Sequence, residues 1–390
     1  FCEVYLNGDY IGVYQLTESV KRDKGRVDIS KLNPDEISGD DLTGGYIIKV
    51  DKIDGLTSDE YFRTNPVSSY PGSVKYNFTY VYPKYDEMAP EQKAYIRKYI
   101  ADAENALNGE SFSDSEKGFR KYLDVSSFVD FQIIQELTNN VDGYRFSTFF
   151  CKDKDSKGGK LKAGPLWDFD LCYGNVDYAD FNLATDTWLY PKFQDMYGGR
   201  MHWWARMMDD FSYRASFAAR WKDLRKGSFS TDSIMDYVDK TIAGLGDAVD
   251  RNFERWPVLG KYVWPNYFIG ETYEEEIGFF KDWITRRVNW IDANIMVAET
   301  ASAGSAGILV FPNPVRDRLG LYFHLKNPGR VRIVMTDLMG HRIIDDDLIG
   351  ESEGDQYVEF SLGKQVPGFY VLQLFQNDRI IGRESVIIAR

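Results

Sequence analysis

The chain is poor in the two side chains that most often build zinc centres and nucleophilic sites. Its 390 residues include three histidines and three cysteines. Cys2, Cys151 and Cys172 are too few and too scattered for a disulfide framework or a zinc site, and buried free thiols are expected. His202, His324 and His341 form no helix-spaced ligand pattern and no Ser or Cys triad, and His202 is expected in an aromatic cluster. A P-loop and a nucleophile elbow are both missing. No run approaches the roughly 18 apolar residues of a transmembrane helix. Phe1 carries no signal-peptide pattern; the sequence opens inside a strand pattern, and its natural start is expected further upstream. Basic side chains are in deficit: Lys and Arg total 47 against 60 Asp and Glu, a net charge of −13. That balance argues against nucleic acid or an anionic membrane as partner, and a free nucleotide would need a local cation.

What is present suffices for two well-built cores. Asn7-Gly8 between apolar runs predicts a hairpin over Phe1–Ser19, and Gly44-Gly45 introduces a strand at Tyr46–Val50. Pro90 opens a helical stripe of Ile96, Tyr99, Ile100, Ala103, Ala106 and Leu107. Asp124 or Ser126 caps a second helix carrying Phe128, Phe131, Ile134 and Leu137 inward. Phe146–Lys152 and Lys160–Asp168 read as a β-hairpin. Helical patterns follow at about His202–Arg225, Ser233–Arg255 and Tyr273–Val297. Small residues without periodicity at Ala298–Gly307 make a linker. Beyond it, short alternating runs such as Val331–Thr336, Tyr357–Leu362 and Phe369–Gln376 predict an antiparallel sandwich.

Carboxylates supply the candidate chemistry. On a strand, Asp168 and Asp170 share one face, set among Trp167, Phe169 and Leu171. Unpaired charge in apolar surroundings is expensive, and a hard cation offsets the repulsion. Mg²⁺ takes one or two carboxylates and completes its octahedron with water and phosphate. Asp142 precedes the hairpin whose far end carries these acids, so the three can converge. The competing reading is a pair of turn or cap aspartates satisfied by backbone amides. Asp153-x-Asp155 imitates the start of a calcium loop but fails at Lys157 and Gly164, and reads as a solvated hairpin tip. Tryptophans such as Trp203, Trp204, Trp256 and Trp264 suit sugar stacking or, at helical spacing, core packing.

With these residues in view, the sequence resembles the CotH (spore coat protein H) kinase family. The matching stretches are Val4–Tyr10 with Gly12–Glu18, Gly44–Asp51, Asn140–Asp142, and Gly164–Asp170 continuing to Gly174-Asn175. The resemblance spans about 1–298 and implies an α+β, atypical kinase-like domain of β-hairpins and a helical C-terminal lobe. It implies transfer of the γ-phosphoryl of ATP, with Mg²⁺, to Ser or Thr of a secreted or surface protein. Asp142 matches the catalytic-loop acid, Asp168 and Asp170 the metal-binding acids, and the strand ending at Leu16-Thr17-Glu18 the hinge beside the adenine. Ser147 stands where kinases carry a metal-binding Asn. The family's phosphate-contacting Lys is expected before Phe1, with Lys49 or Lys52 as candidates in its place.

Residues 308–390 resemble the type A C-terminal sorting domain of the type IX secretion system, through Phe311-Pro312-Asn313-Pro314, Asp337-Leu338-x-Gly340 and Pro367-Gly368-Phe369-Tyr370. An all-β, Ig-like sandwich after a linker at 299–307 is implied. Export by that machinery to the medium or the outer-membrane surface of a double-membraned bacterium is implied too. The alternative function is a non-catalytic surface binding or scaffold protein, with glycan binding as one form.

Overall fold

The computed structural model describes residues 1–64, 75–114, 116–192, 201–295 and 308–389, except 312, 314, 316–317, 326, 352–353 and 364. The chain divides into two compact units, Phe1–Met208 with Arg220–Ala293 and Asp209–Ala219 with Asn294–Arg390. The mixed α+β composition matches the sequence reading. The expected linker lies outside the described residues.

The first unit opens with a hairpin of β1 (Cys2–Leu6) and β2 (Asp9–Tyr14). Its turn is the predicted Asn7-Gly8, both at positive φ, as a two-residue turn between right-twisted strands requires. The pairing begins at Cys2 with Tyr14, so β2 ends there. Leu16-Thr17-Glu18 follow outside any strand, and the predicted strand reaching them is corrected to Tyr14.

A separate antiparallel sheet holds β3 (Tyr46–Val50), β4 (Tyr61–Arg63), β5 (Asn77–Tyr82), β6 (Thr148–Lys152) and β7 (Leu161–Ala163), in the order β4-β5-β3-β6-β7. After the four-residue α1 (Gly39–Leu42), the long helices are α2 (Pro90–Asn108) and α3 (Val125–Thr138). Both start as expected, α2 with Pro90 in its first turn and α3 with Asp124 accepting from the Ser127 amide. Phe78, Phe128, Phe150, Trp203 and Trp204 fill the core between helices and sheet.

The β6–β7 hairpin is shorter than read from the sequence. Its second strand stops at Ala163 and residues 164–169 join no ladder. Pro165 has no amide to donate, and Asp168 adopts a left-handed φ of 66°. Strand alternation therefore does not set the directions of Asp168 and Asp170.

The helical patterns divide further. After α4 (Asp180–Leu183), His202–Arg225 becomes α5 (Trp203–Met207) and α6 (Phe211–Arg225), with Asp210 between them accepting from the Tyr213 amide. Ser233–Arg255 becomes α7 (Thr231–Leu245) and α8 (Ala248–Arg255), interrupted at Gly246 with φ 49°. The last, α9, runs Tyr273–Asn294.

In the second unit, β8 (Ile308–Phe311), β9 (Arg318–Leu325), β10 (Gly329–Asp337), β11 (Arg342–Glu351), β12 (Gly354–Ser361), β13 (Gly368–Gln376) and β14 (Arg379–Ile388) form two antiparallel sheets. Their orders are β11-β10-β13-β14 and β12-β9-β8. Alternate residues of both, among them Leu321, Phe323, Ile333, Met335, Leu372 and Val386, meet in one core. Asn313 joins the edge to β14, donating to the Ser385 carbonyl and accepting from the Ile387 amide. Asp337 accepts from the amides of Met339 and His341 and from the His341 ring. The Tyr370 hydroxyl donates to the Val366 carbonyl at 2.6 Å. These motif residues thus have structural work within the sheets.

Candidate functional site

The loop between α3 and β6 carries Asp142, and it is anchored from beneath. Val141 and Tyr144 are buried. The Tyr144 ring lies 4.8 Å from Trp204, and its hydroxyl donates to Glu136 Oε1 at 2.9 Å. Glu136, on α3, also accepts from the amides of Leu189 and Tyr190. Arg287 of α9 is fully buried beside it and donates to the carbonyls of Glu136, Thr185 and Thr187. Burial pushes the Glu136 carboxyl up, opposed by Arg287, and burial brings Arg287 down to about 10.

Asn139 and Asn182 join this loop to the segment that carries the other acids. Asn139 donates to the Ala184 carbonyl at 3.0 Å, and Asn182 donates to the carbonyls of Asn139 and Leu171. The Tyr173 amide reaches the Thr138 carbonyl at 2.9 Å. Asn175 donates to the Asp170 carbonyl at 2.9 Å. Gly174, at φ 74°, lies so close to Trp283 that an added Cβ would meet its Nε1 at 2.6 Å. The Gly-Asn pair therefore closes the acid-bearing turn onto α9.

Asp168 and Asp170 do come together, by a turn rather than by a strand. Asp170 is held above the usual carboxylate range, first by burial, then by the charge of Asp168 and a hydrogen bond between the two carboxyls. The Ser147 hydroxyl donates to Asp168 Oδ2 at 3.1 Å. Asp142 receives both guanidinium contacts of Arg145 on Oδ1, the closer at 2.9 Å, and its amide donates to Asn140. Its Oδ2 accepts from no group among the described residues. Cys172 is buried, and its thiol is pushed up by burial and, in smaller part, by the charges of Asp170, Asp142 and Asp168. Tyr178, raised by burial, feels Asp142 and Asp170 in turn.

Backbone strain is concentrated in the same place. Of the eight non-glycine residues at positive φ among the described residues, five are Asn139, Tyr144, Ser147, Asp168 and Tyr173. Such conformations persist where surrounding structure enforces them, and they gather at functional sites. Asp168 and Asp170 repel each other, while backbone amides of Asp170 and Leu171 also reach the Asp170 carboxyl as in a turn acid. Among the described residues, no three His, Cys, Asp or Glu are grouped tightly enough to bind a metal by themselves. The Asp168–Asp170 pair would therefore hold Mg²⁺ with water and phosphate as the remaining ligands.

Elsewhere the expectations divide. Leu16 is 86% exposed, Thr17 is exposed, and Glu18 pairs with Lys21 at 2.8 Å, so no described contact joins these hinge candidates to the acids. His202 is a buried structural residue, its ring bonded to Tyr76 and Asn108 and held down to about 4 by burial. The hairpin tip is solvent-exposed at residues 155–158 as expected, and it is also tied to protein: Asp153 accepts from the amides of Ser30 and Lys154, and Asp155 pairs with Lys152. Sequence reasoning missed Arg145, whose signal is its place three residues after Asp142. It also missed the Glu136–Arg287 anchor, which no spacing reveals.

A family model described as CotH kinase protein matches residues 1–291. No curated protein matches the sequence. Among solved structures, an immunoglobulin-like protein from Pseudomonas aeruginosa aligns at 11% identity and TM-score 0.16, covering 22% of this chain and 79% of that one. The β-glucosidase of Kluyveromyces marxianus aligns at 11% identity and TM-score 0.17, over 22% of this chain and 14% of that one. The alkylpurine DNA glycosylase AlkC of Pseudomonas fluorescens aligns at 12% identity and TM-score 0.16, over 77% and 73%.

Proposed function

The chain belongs to the CotH kinase protein family, and from that premise we propose that it is an atypical protein kinase acting on Ser or Thr of a secreted or surface protein. The observation that supports this reading is the Asp168–Asp170 acid pair, with Ser147 donating to Asp168 and Arg145 holding Asp142. Phosphoryl transfer asks for positioning and charge neutralisation more than for covalent help. Asp142 Oδ2 orients the acceptor hydroxyl and takes its proton as the oxygen bonds to the γ-phosphorus of ATP. The bond from that phosphorus to the β–γ bridging oxygen breaks, and ADP leaves. Arg145 holds the other oxygen of Asp142 and fixes its direction. Asp168 and Asp170 would hold Mg²⁺, which would neutralise phosphate charge. Ser147, a weaker ligand than Asn, orients Asp168. Export through the type IX machinery, by an Ig-like sorting tail at 308–390, would bring the enzyme to surface acceptors.

A thermal melt with and without Mg-ATP tests the reading. Wild type is expected to gain stability with Mg-ATP. Asp168→Asn is expected to keep or exceed the ligand-free melting temperature, because repulsion with Asp170 is relieved, while losing the Mg-ATP gain. A capping role predicts instead a loss of about 0.5–2 kcal/mol with ligand response intact. A wild-type protein that never responds to Mg-ATP would transfer the argument to a non-catalytic surface binder. For that alternative the relevant feature is the stack of Tyr178 and Trp264, 46% and 70% exposed with rings 6.0 Å apart.

A further inference from the structure

The segment between α8 and α9 is fastened to residues 175–177 without burying its aromatic side chains. The Asp177 amide donates to the Pro265 carbonyl at 2.9 Å, and the Tyr267 amide donates to the Asn175 carbonyl at 3.1 Å. Val176 and Asn266 form a β-bridge between these two bonds. The Asn266 amide closes a turn onto the Val263 carbonyl at 2.8 Å. Phe268 stacks on Phe279 of α9, with ring centres 4.5 Å apart. The backbone beside Trp264 is thus well anchored. Its side chain is nonetheless 70% exposed, and Tyr178, Tyr262 and Tyr267 are half-exposed. Large aromatic rings kept in water on anchored backbone mark a binding surface.

The polar groups beside the rings narrow the ligand. Tyr178 and Trp264 lie nearly parallel, with 15° between their planes and 6.0 Å between their centres. That spacing is an offset stack, which leaves part of each face open. Asp177, next to Tyr178 in the chain, accepts from the Tyr262 hydroxyl on Oδ2 at 2.7 Å. Its Oδ1 accepts from no group among the described residues, and a carboxylate oxygen calls for a donor. Besides burial, the Tyr178 hydroxyl feels the charges of Asp142, Arg145, Asp170 and Asp177, three acids against one guanidinium. That guanidinium is held by Asp142 at 2.9 Å. The Lys261 ammonium donates to the Pro257 carbonyl at 2.8 Å. Such surroundings repel an anion. A pyranose ring suits them, because its C–H faces cover aromatic rings, its hydroxyls donate to a carboxylate, and it carries no negative charge.

We propose that Tyr178 and Trp264, with Asp177 and Tyr262, form a carbohydrate-binding subsite that takes a neutral pyranose chain. The subsite rests on no step of the kinase reading and holds whether or not ATP binds.

Calorimetric titration of the full chain with cellohexaose, mannohexaose and xylohexaose tests this, with adenosine and trilysine titrated alongside. At least one hexasaccharide is expected to bind. Trp264→Ala is expected to weaken it about tenfold or more, through the lost stacking face. Trp264→Phe keeps an aromatic face, so it should recover part of that loss and melt with wild type. Tyr178→Phe is expected to match wild type, because the ring and not the hydroxyl does the stacking, whereas Tyr178→Ala should follow Trp264→Ala. Asp177→Asn is expected to weaken the sugar about threefold or more, since a neutral acceptor replaces a charged one. If no hexasaccharide binds, or if Trp264→Ala binds as tightly as wild type, the assignment is overturned. Binding of adenosine or trilysine that depends on Trp264, without sugar binding, overturns it too and gives the rings to a nucleobase or a cationic segment.

Discussion

Replacing Glu104 with glutamine should stabilise the protein at alkaline pH and do almost nothing at acidic pH. Glu104 lies on α2, nearly inaccessible, with Oε1 accepting from the Trp203 indole at 3.2 Å and Oε2 without a hydrogen-bond partner among the described residues. Burial pushes its carboxyl up to about 7, against an ordinary 4.5, and the nearby Thr64 hydroxyl and the Trp203 indole oppose that only in part. At about 1.4 kcal/mol per pH unit, this places a penalty of roughly 3 kcal/mol on the ionised form in the fold. The folded state binds the proton more tightly than the unfolded state. Stability therefore falls as pH rises from about 4.5 to about 7, and is level above that window. Glutamine resembles the protonated acid and does not titrate. Urea unfolding of wild type and Glu104→Gln at pH 5 and pH 8 should give nearly equal stabilities at the lower pH. At pH 8 the variant should gain about 2–4 kcal/mol. The same difference at both pH values would show that Glu104 is not buried as an ionisable group, and the reasoning fails.

Two further perturbations probe the supports of the site. Arg287→Met should cost about 3–5 kcal/mol in chemical denaturation, because it strands Glu136 as a buried charge; a loss under 1 kcal/mol would remove the pair from the list of anchors. Gly12→Ala should loosen the β1–β2 hairpin from α8. Gly12 has φ 126° and its added Cβ would sit 2.8 Å from Asn252 Oδ1 and 3.0 Å from Trp256 Nε1. Those two side chains bind the Val13 amide and the Ile11 carbonyl, so a cost of about 1–3 kcal/mol should appear with faster hydrogen exchange at Val13. Unchanged exchange there would count against the contact.

Local signals were legible where the physics is local. Asn7-Gly8, Pro90 and Asp124 act through their own backbone neighbourhood, and each ends or starts the element expected of it. The α+β composition, the hairpin β6–β7 and strands β10, β12 and β13 were readable for the same reason. Helix breaks were not: Asp210 and Gly246 interrupt patterns whose apolar periodicity continues across them, and capping competes with periodicity only once tertiary contacts decide between them. The aspartates of the candidate site were singled out for a partly mistaken reason. Their residue types drew attention, but strand alternation does not bring Asp168 and Asp170 together, since Pro165 ends the ladder and Asp168 turns left-handed.

The same comparison explains why the acids can stay close without unfolding the site. Each is attached to backbone that is fixed elsewhere, so their mutual repulsion has no soft coordinate to relax along. Tyr144 is seated on Trp204, Asn139 is tied through Asn182 to the acid-bearing turn, and Gly174 lies against Trp283. Tyr144 in turn bonds to Glu136, which is paired with Arg287 within the core rather than at its surface. Stability is thereby invested in neutral and internally paired groups beneath the loop. The exposed rim is left to Asp168 and Asp170, with Asp142 partly covered and paired to Arg145. If the proposed phosphoryl transfer takes place here, a site organised this way would gain stability when a cation and a phosphate arrive together.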